Sequence, residues 1–361
     1  MTRTAVARRR LSSGVLAAGL AAVLFGASTP AAKVLVGGIP PILLAGLLYA
    51  GAGIGLAIAI ALRALFFTRQ RQAVMLPSRQ DVPWLLAAVL IGGIVGPVLL
   101  MIGLTSTTAA SAALLLNLEG VFTALVAWFV FREHFDRRIV IGMVLIVAGG
   151  IVLSYEPGSS YAGLSPGAMA VAGACVCWAL DNNLTRKISA NDAMLIACVK
   201  GLASALVNLS IAFMLGQAVP DAAHLAAAGA VGFLGYGVSL ALFIYALRQL
   251  GTARASAYFS SAPFFGVLLA VVLLAEPLTA ALILAGVLMA IGVWLHLSER
   301  HSHEHEHRSV EHTHPHVHDA HHQHEHDFDW DGTEPHTHPH RHRRLRHSHP
   351  HYPDLHHRHE H

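Results

Sequence analysis

Long apolar runs separated by short polar breaks fill the first 298 residues. Ten runs can be marked, at roughly 14–36, 41–63, 83–104, 109–131, 138–155, 166–185, 193–215, 225–247, 254–275 and 279–298. A helix of about 20 apolar residues crosses the hydrocarbon core of a bilayer. Strand-like alternation is absent from these runs, and open sheets cannot cross lipid. The pattern therefore predicts an all-α integral membrane body of ten transmembrane helices with short connections. Beyond residue 298 it stops, and a polar tail follows.

The runs also repeat. Phe25 to Lys33 aligns with Trp178 to Arg186 at an offset of 153, and spans four and nine align at 143, pairing Ala110 with Ala253, Phe122 with Phe265 and Glu133 with Glu276. The ten-residue difference falls on the basic loop 63–81, which the second half lacks. Each unit holds an odd number of spans, five, so the second lies upside down relative to the first. Inverted repeats around a central site are an architecture of alternating-access carriers. The expected organisation is a basic cytoplasmic N-terminus (1–13), a first repeat (14–155), an extracytoplasmic linker (156–165), a second repeat (166–298) and the tail (299–361).

Composition sharpens this. Of 361 residues, 54% are hydrophobic and 12% charged, where a soluble domain carries about 25% charged residues. That composition rules out a soluble enzyme, a secreted disulfide scaffold and a nucleic-acid-binding domain. The three cysteines, Cys175, Cys177 and Cys198, all lie in apolar runs and suggest no disulfide framework. Positive charge sets the expected orientation. Fifteen bases fall at the N-terminus (Arg3, Arg8, Arg9, Arg10), after span two (Arg63, Arg69, Arg71, Arg79), after span four (Arg132, Arg137, Arg138), after span six (Arg186, Lys187) and after span eight (Arg248, Arg254). The alternate loops hold none, which predicts a multi-pass protein of the inner, cytoplasmic membrane with both termini in the cytosol. The N-terminus resembles a signal peptide, but span one is needed to complete the repeat and is read as retained.

The stretch from Asn117 to His134, followed by Gly142 and Ala148-Gly149-Gly150, resembles the span-four and span-five signature of EamA-type transporters in the drug/metabolite transporter superfamily. Ser260 to Phe265, then Glu276, Gly286 and Gly292, is similar to the same signature in a second copy. The resemblance covers about residues 14–298 and implies ten helices and carrier transport, usually efflux, of cargoes that range from amino acids to drugs and sugar nucleotides. One departure is Gly120, where the family usually has the proline kept as Pro263; span four thus lacks the residue expected to hinge it. Histidine-rich relatives are associated with nickel and cobalt resistance, which inclines the resemblance toward metal efflux.

Ionisable groups within spans are costly in lipid and point to function. Glu119 falls near the midplane of span four with Asn117 beside it, suited to bind a cation or exchange a proton. Asp181, Asn182 and Asn183 lie near the end of span six, with Cys177 one helical turn earlier, a candidate mixed oxygen/sulfur site. Lys200 in span seven is the expected countercharge for Asp181 or Glu119. Lys33 sits near the outer end of span one, where it can snorkel to water and act at a gate. Pro30, Pro97 and Pro263 interrupt spans, and Tyr258, Ser260 and Ser261 beside Pro263 can offer hydroxyls and freed carbonyls. Glu133 and Glu276 close their spans at opposite faces and read as structural. Gly51-x-x-x-Gly55 and Gly92-x-x-x-Gly96 mark close helix packing.

The tail concentrates the histidines: of 26, only His134, His224 and His296 precede residue 300. His301, His303, His305 and His307 alternate with other residues, as do His312, His314, His316 and His318, and again His336, His338, His340 and His342. On an extended chain such alternation puts imidazoles on one side, where two or three can chelate one ion. Nickel, cobalt and zinc all suit imidazole. The tract builds no core, so disorder is expected without metal; it also gains positive charge as histidines protonate near pH ~6.5.

The expectation is a secondary transporter, most often an exporter in this family, with no enzymatic activity and no required cofactor. Its leading cargo is a divalent metal collected or sensed by the tail. An amino acid or other metabolite is the alternative, and a membrane-anchored metal buffer or sensor a third reading. The partners are the lipid bilayer, a small solute or metal cation, and a second copy of the chain as a homodimer; nucleic acid is not among them.

Overall fold

A computed structural model describes residues 3–66, 79–131, 137–159, 163–186 and 193–297, and four tail strands within 302–350. Expectations that fall on Arg69, Arg71, Arg132, Glu133, His134, Lys187, His301, His318 and His342 lie outside the described residues. The apolar runs form helices: α1 (Arg3–Val36), α2 (Pro41–Phe66), α3 (Val82–Ala88), α4 (Gly96–Ser106), α5 (Ala109–Leu115), α6 (Leu118–Phe131), α7 (Arg137–Ser154), α8 (Pro166–Arg186), α9 (Ala193–Met214), α10 (Ala222–Val231), α11 (Ser239–Leu250), α12 (Thr252–Phe259), α13 (Ala262–Leu274) and α14 (Ala280–Leu297). Among the described residues, nine helical stretches are long and apolar enough to cross a membrane. The tenth expected span is α8, a helix of 21 residues that is less apolar because it ends in Asp181, Asn182, Asn183 and Thr185. It packs against α4 and α6, so that polar end is carried into the bundle.

Caps explain several boundaries. The Thr108 hydroxyl accepts the Ser111 N–H at 3.1 Å to start α5, and Thr279 Oγ1 accepts the Leu282 N–H at 3.1 Å to start α14. Asp221 Oδ1 accepts the His224 N–H at 2.9 Å, and its other oxygen meets the His224 ring at 2.6 Å. These bonds hold the exposed Asp221 carboxyl below the usual aspartate range, the backbone N–H of His224 contributing most.

The repeats interleave. Span six (α8) packs on spans three and four of the first repeat, while span one (α1) packs on spans eight and nine of the second. Span two lies along span seven (α2 on α9), and span five along span ten (α7 on α14). Glycine permits these approaches: a Cβ on Gly201 would lie 3.1 Å from the Gly53 Cα, and one on Gly51 would run into the Gly229 carbonyl.

Two features recur at matched positions. Span three contains a π-helical turn at Val89–Val95 and span eight one at Gly232–Val238, which is the repeat offset of 143. The exit N–H bonds five residues back in both, Gly96 to Ile91 and Ser239 to Leu234. Such turns mark functional regions more often than chance. Spans four and nine also break at equivalent points, between α5 and α6 at Asn117 and between α12 and α13 at Ser260 and Ser261. Span four therefore breaks without a proline: the Asn117 Nδ2 bonds the Leu114 carbonyl at 2.9 Å and stabilises the interrupted turn.

Glu276 ties the repeats together at the face opposite the basic loops. Ala275 adopts a left-handed conformation (φ 52°), ending α13. The Glu276 carboxylate then accepts the Ala109 N–H at 2.7 Å and the Ala110 N–H at 2.8 Å, capping α5. This is the structural role expected of it, and a carboxylate suits the positive end of the helix dipole.

The tail is a separate unit. Its strands β1 (Ser302–His307) and β4 (Leu345–Pro350) pair antiparallel, as do β2 (Glu311–His316) and β3 (His336–Arg341). Two-stranded pairs of this kind are marginal in water on their own.

The cap gives a stability prediction. Glu276→Ala should lower the free energy of unfolding by about 0.5–2 kcal/mol, read as a lower melting temperature in detergent micelles. Glu276→Gln, which keeps one acceptor, should fall between the two.

Candidate transport site

Successive residues at the end of α8 turn to different neighbours and so assemble a polar centre between spans two, three, four, six and seven. Asp181 is buried, and both of its oxygens accept from the Lys200 ammonium of α9, at 2.5 and 2.6 Å. Thr185, one turn later on α8, donates to Asp181 Oδ1 at 3.0 Å and accepts from Lys200 Nζ at 3.3 Å. Of the two countercharges open to Lys200, the fold selects Asp181.

Asn182 faces α6 instead. Its Nδ2 donates to Glu119 Oε1 at 2.8 Å and reaches Thr123 Oγ1 at 3.4 Å. Asn183 turns back on the backbone, to the Ala179 carbonyl at 2.8 Å and the Thr123 carbonyl at 3.3 Å. Asp181, Asn182 and Asn183 thus form a junction of three networks, and among the described residues of the helical body no group of three histidine, cysteine or carboxylate residues could hold a metal ion. Cys177 packs beside Gly96, where an added Cβ would meet its own Cβ at 3.3 Å.

The π turn of span three forms the opposite wall. Pro97 has no N–H to offer, and the Gly96 N–H bonds Ile91 rather than Gly92. The Gly92 and Gly93 carbonyls accept side-chain donors: Trp178 Nε1 reaches Gly92 at 2.9 Å, Tyr49 OH reaches it at 3.3 Å, and Asn208 Nδ2 reaches Gly93 at 3.4 Å. Aromatic rings continue from Tyr49 to Tyr236 (centroids 6.0 Å), to Phe25 (6.0 Å) and to Phe259 (5.3 Å), joining residues of both repeats. On α9, Ser204 and Asn208 are fully buried, and Ser204 Oγ and Asn208 Oδ1 have no hydrogen-bond partner among the described residues.

The other expected residues lie apart from this centre or serve the backbone. Lys33 is half-buried, and its ammonium donates to the Leu104 carbonyl at 2.6 Å in the last turn of α4, where the helix dipole favours a cation. Ser260 and Ser261 donate to the carbonyls of Ala257 (2.9 Å) and Tyr258 (2.5 Å) at the break in span nine, Pro263 opens α13, and Tyr258 is exposed. Asn117 holds the break in span four. Sequence reasoning missed Tyr49, Thr123, Trp178, Ser204, Asn208 and Tyr236. Only the four-residue spacing of Lys200, Ser204 and Asn208, a polar stripe on an apolar helix, offered a signal.

The charge is confined to one of two related places. A Cβ on Gly92 would strike Asp181; at the matched position, a Cβ on Gly235 would lie 2.6 Å from the Ser28 Cβ. Ser28 thus occupies the place of Asp181, and the repeat offset sets Ala262 against Glu119.

Comparison with known proteins agrees with this architecture. The EamA-like transporter family matches the chain twice, over residues 12–155 and 165–298. An uncharacterized transporter of Methanothermobacter thermautotrophicus is 29% identical over 294 residues, covering 76% of this chain and 83% of the relative. The uncharacterized transporter YyaM of Bacillus subtilis is 23% identical over 254 residues, covering 66% and 82%. A crystal structure covering 79% of this chain and 95% of its own superposes with a TM-score of 0.58 at 21% identity, a likeness of fold. Two family matches, one on each half of an interleaved ten-helix bundle, place the chain in the EamA-like transporter family of the drug/metabolite transporter superfamily.

Proposed function

We propose that this transporter exports a small organic solute carrying both an amino and a carboxylate group, as amino acids do. The supporting observation is the Asp181–Lys200 pair, its aspartate buried and its lysine half-buried. Removing one partner of a buried pair leaves an uncompensated charge, at about 3–5 kcal/mol. A zwitterion can replace both partners at once, its ammonium going to Asp181 and its carboxylate to Lys200. A divalent cation satisfies Asp181 but strands the Lys200 ammonium. Glu119, held through Asn182, is the group placed to exchange a proton or receive a second cationic group. Tyr49, Trp178 and Tyr236 supply the apolar wall.

The basic loops support a cytoplasmic-membrane location with both termini in the cytosol. The histidine tail then meets cytosolic metal and binds nickel, cobalt or zinc. That tail is also what favours a second reading, in which the divalent metal is the cargo and Lys200 must release Asp181 as the ion enters. In a third, the body serves only to anchor a metal buffer.

Two measurements follow. Lys200→Met should destabilise the protein by about 3–5 kcal/mol, and adding Asp181→Asn should recover most of that loss in thermal unfolding. In cells preloaded with labelled amino acids or radioactive nickel, the wild type should lower amino-acid accumulation. Asp181→Asn and Glu119→Gln should each slow that efflux by about tenfold or more, the loss of one charged hydrogen bond. Efflux of nickel alone would favour the metal reading, and equal accumulation of both labels with and without the protein would contradict export of either.

A further inference from the structure

Two buried oxygens beside the charged pair take no part in it. Ser204 and Asn208 follow Lys200 by one and two turns on α9, with Ser204 near the middle of that helix. Both side chains are fully buried, and Ser204 Oγ and Asn208 Oδ1 have no hydrogen-bond partner among the described residues. A serine hydroxyl inside a helix commonly bonds the carbonyl four residues back, and Ser210 on the same helix does so, to Leu206 at 2.7 Å. The Ser204 hydroxyl instead lies against Gly93 in the π turn of span three, where an added Cβ would strike it. Asn208 reaches the same residue, its Nδ2 donating to the Gly93 carbonyl at 3.4 Å. Because a carbonyl can only accept, that bond sets the amide with Oδ1 as the unpartnered atom.

Gly93 adds a third oxygen. Its carbonyl stands four residues before Pro97, which has no N–H to give it, and the long bond from Asn208 leaves a lone pair on that oxygen. An unwound helical carbonyl is the type of ligand that holds a coupling ion in carriers with interrupted helices. Nor does packing require the two side-chain oxygens. The related contact in the repeat is span two on the π turn of span eight. There, at the offset of 153, Gly51 and Gly55 stand where span seven has Ser204 and Asn208, and a Cβ on Gly55 would strike Phe233 within the turn. Glycine serves that contact, so the oxygens of α9 are additions to the shared frame.

We propose that α9 and the π turn of span three hold an alkali cation, sodium or potassium, through Ser204 Oγ, Asn208 Oδ1 and the Gly93 carbonyl, with water completing its shell. All three ligands are neutral oxygens. Calcium and magnesium sites draw on carboxylates, and softer transition ions favour imidazole or thiolate, so this set suits a single hard positive charge. The neighbouring charges agree. Asp181 and Glu119 set two carboxylates against the one ammonium of Lys200, and with all three ionised a monovalent ion cancels the excess. Span three belongs to the first repeat and span seven to the second, so the ion bridges them and its affinity depends on how they stand to one another. The inference adds a coupling ion to the proposed carrier and does not rest on which solute it exports.

The test is thermal unfolding of the full-length protein in detergent micelles at constant ionic strength, with sodium, potassium or choline chloride as the salt. In choline, Ser204→Ala should melt at or above the wild type, because it removes a buried oxygen that nothing meets. In sodium, potassium or both, the wild type should melt about 2–4 °C higher than in choline, with a response that saturates, and Ser204→Ala should lose that gain. Ser210→Ala, which removes an exposed hydroxyl from the same helix, should keep it. Equal melting of the wild type in all three salts would overturn the site, as would a gain that Ser204→Ala retains. None of these readings involves transport, so they stand or fall separately from the amino-acid cargo.

Discussion

Inside a bilayer no water takes over a hydrogen bond that the protein gives up, so each polar group released in the body must be met within the bundle. That constraint organises the centre of this transporter. Pro97 and the π turn leave the Gly92 and Gly93 carbonyls to side chains, and Trp178, Tyr49 and Asn208 converge on them from three other spans. Asp181 would be costly alone in this setting and is met by Lys200 and Thr185. Glu276 answers the same demand at the membrane face, where the free N–H groups of α5 would otherwise lack acceptors. The polar bonds that satisfy the backbone thus also draw together the residues a cargo would meet.

The interleaved repeats give those bonds a mechanical meaning. Span six belongs by sequence to the second repeat but packs on spans three and four of the first, and span one does the reverse. Movement of one repeat against the other must pass through these shared contacts. The π turns and the breaks in spans four and nine sit at matched positions, so both repeats can deform at corresponding points. Charge does not follow the symmetry: Asp181 and Glu119 have Ser28 and Ala262 as counterparts. The frame is duplicated, and the charge sits at one of its two related places, built from residues of both repeats.

Much of this was legible from the residues because membrane helices are written locally. Apolar runs, their breaks and the sidedness of arginine depend on neighbours in sequence, and they located the spans, with α8 the most polar. Lys200 and Asp181 were recognisable as partners because few charges occur within the spans. The remainder depends on packing between distant segments. Nothing near Tyr49 indicates that it reaches Gly92, and Gly120 hid the break in span four, which Asn117 stabilises instead. Nothing near Lys33 indicates that α4 places the Leu104 carbonyl within its reach. The tail's alternation was plain, whereas its register emerges only when two distant segments are paired.

The central claim is that cargo exchanges for the Asp181–Lys200 pair, and this can be observed at the lysine itself. The chain has three lysines, Lys33, Lys187 and Lys200, so protein labelled with ¹⁵N-lysine gives a spectrum simple enough to assign by single substitutions. With a transported amino acid added to saturation, the Lys200 ammonium signal should shift as its partner changes from Asp181 to the cargo carboxylate, while that of Lys33 stays in place. A Lys200 signal that does not move while cargo is demonstrably bound would contradict the account.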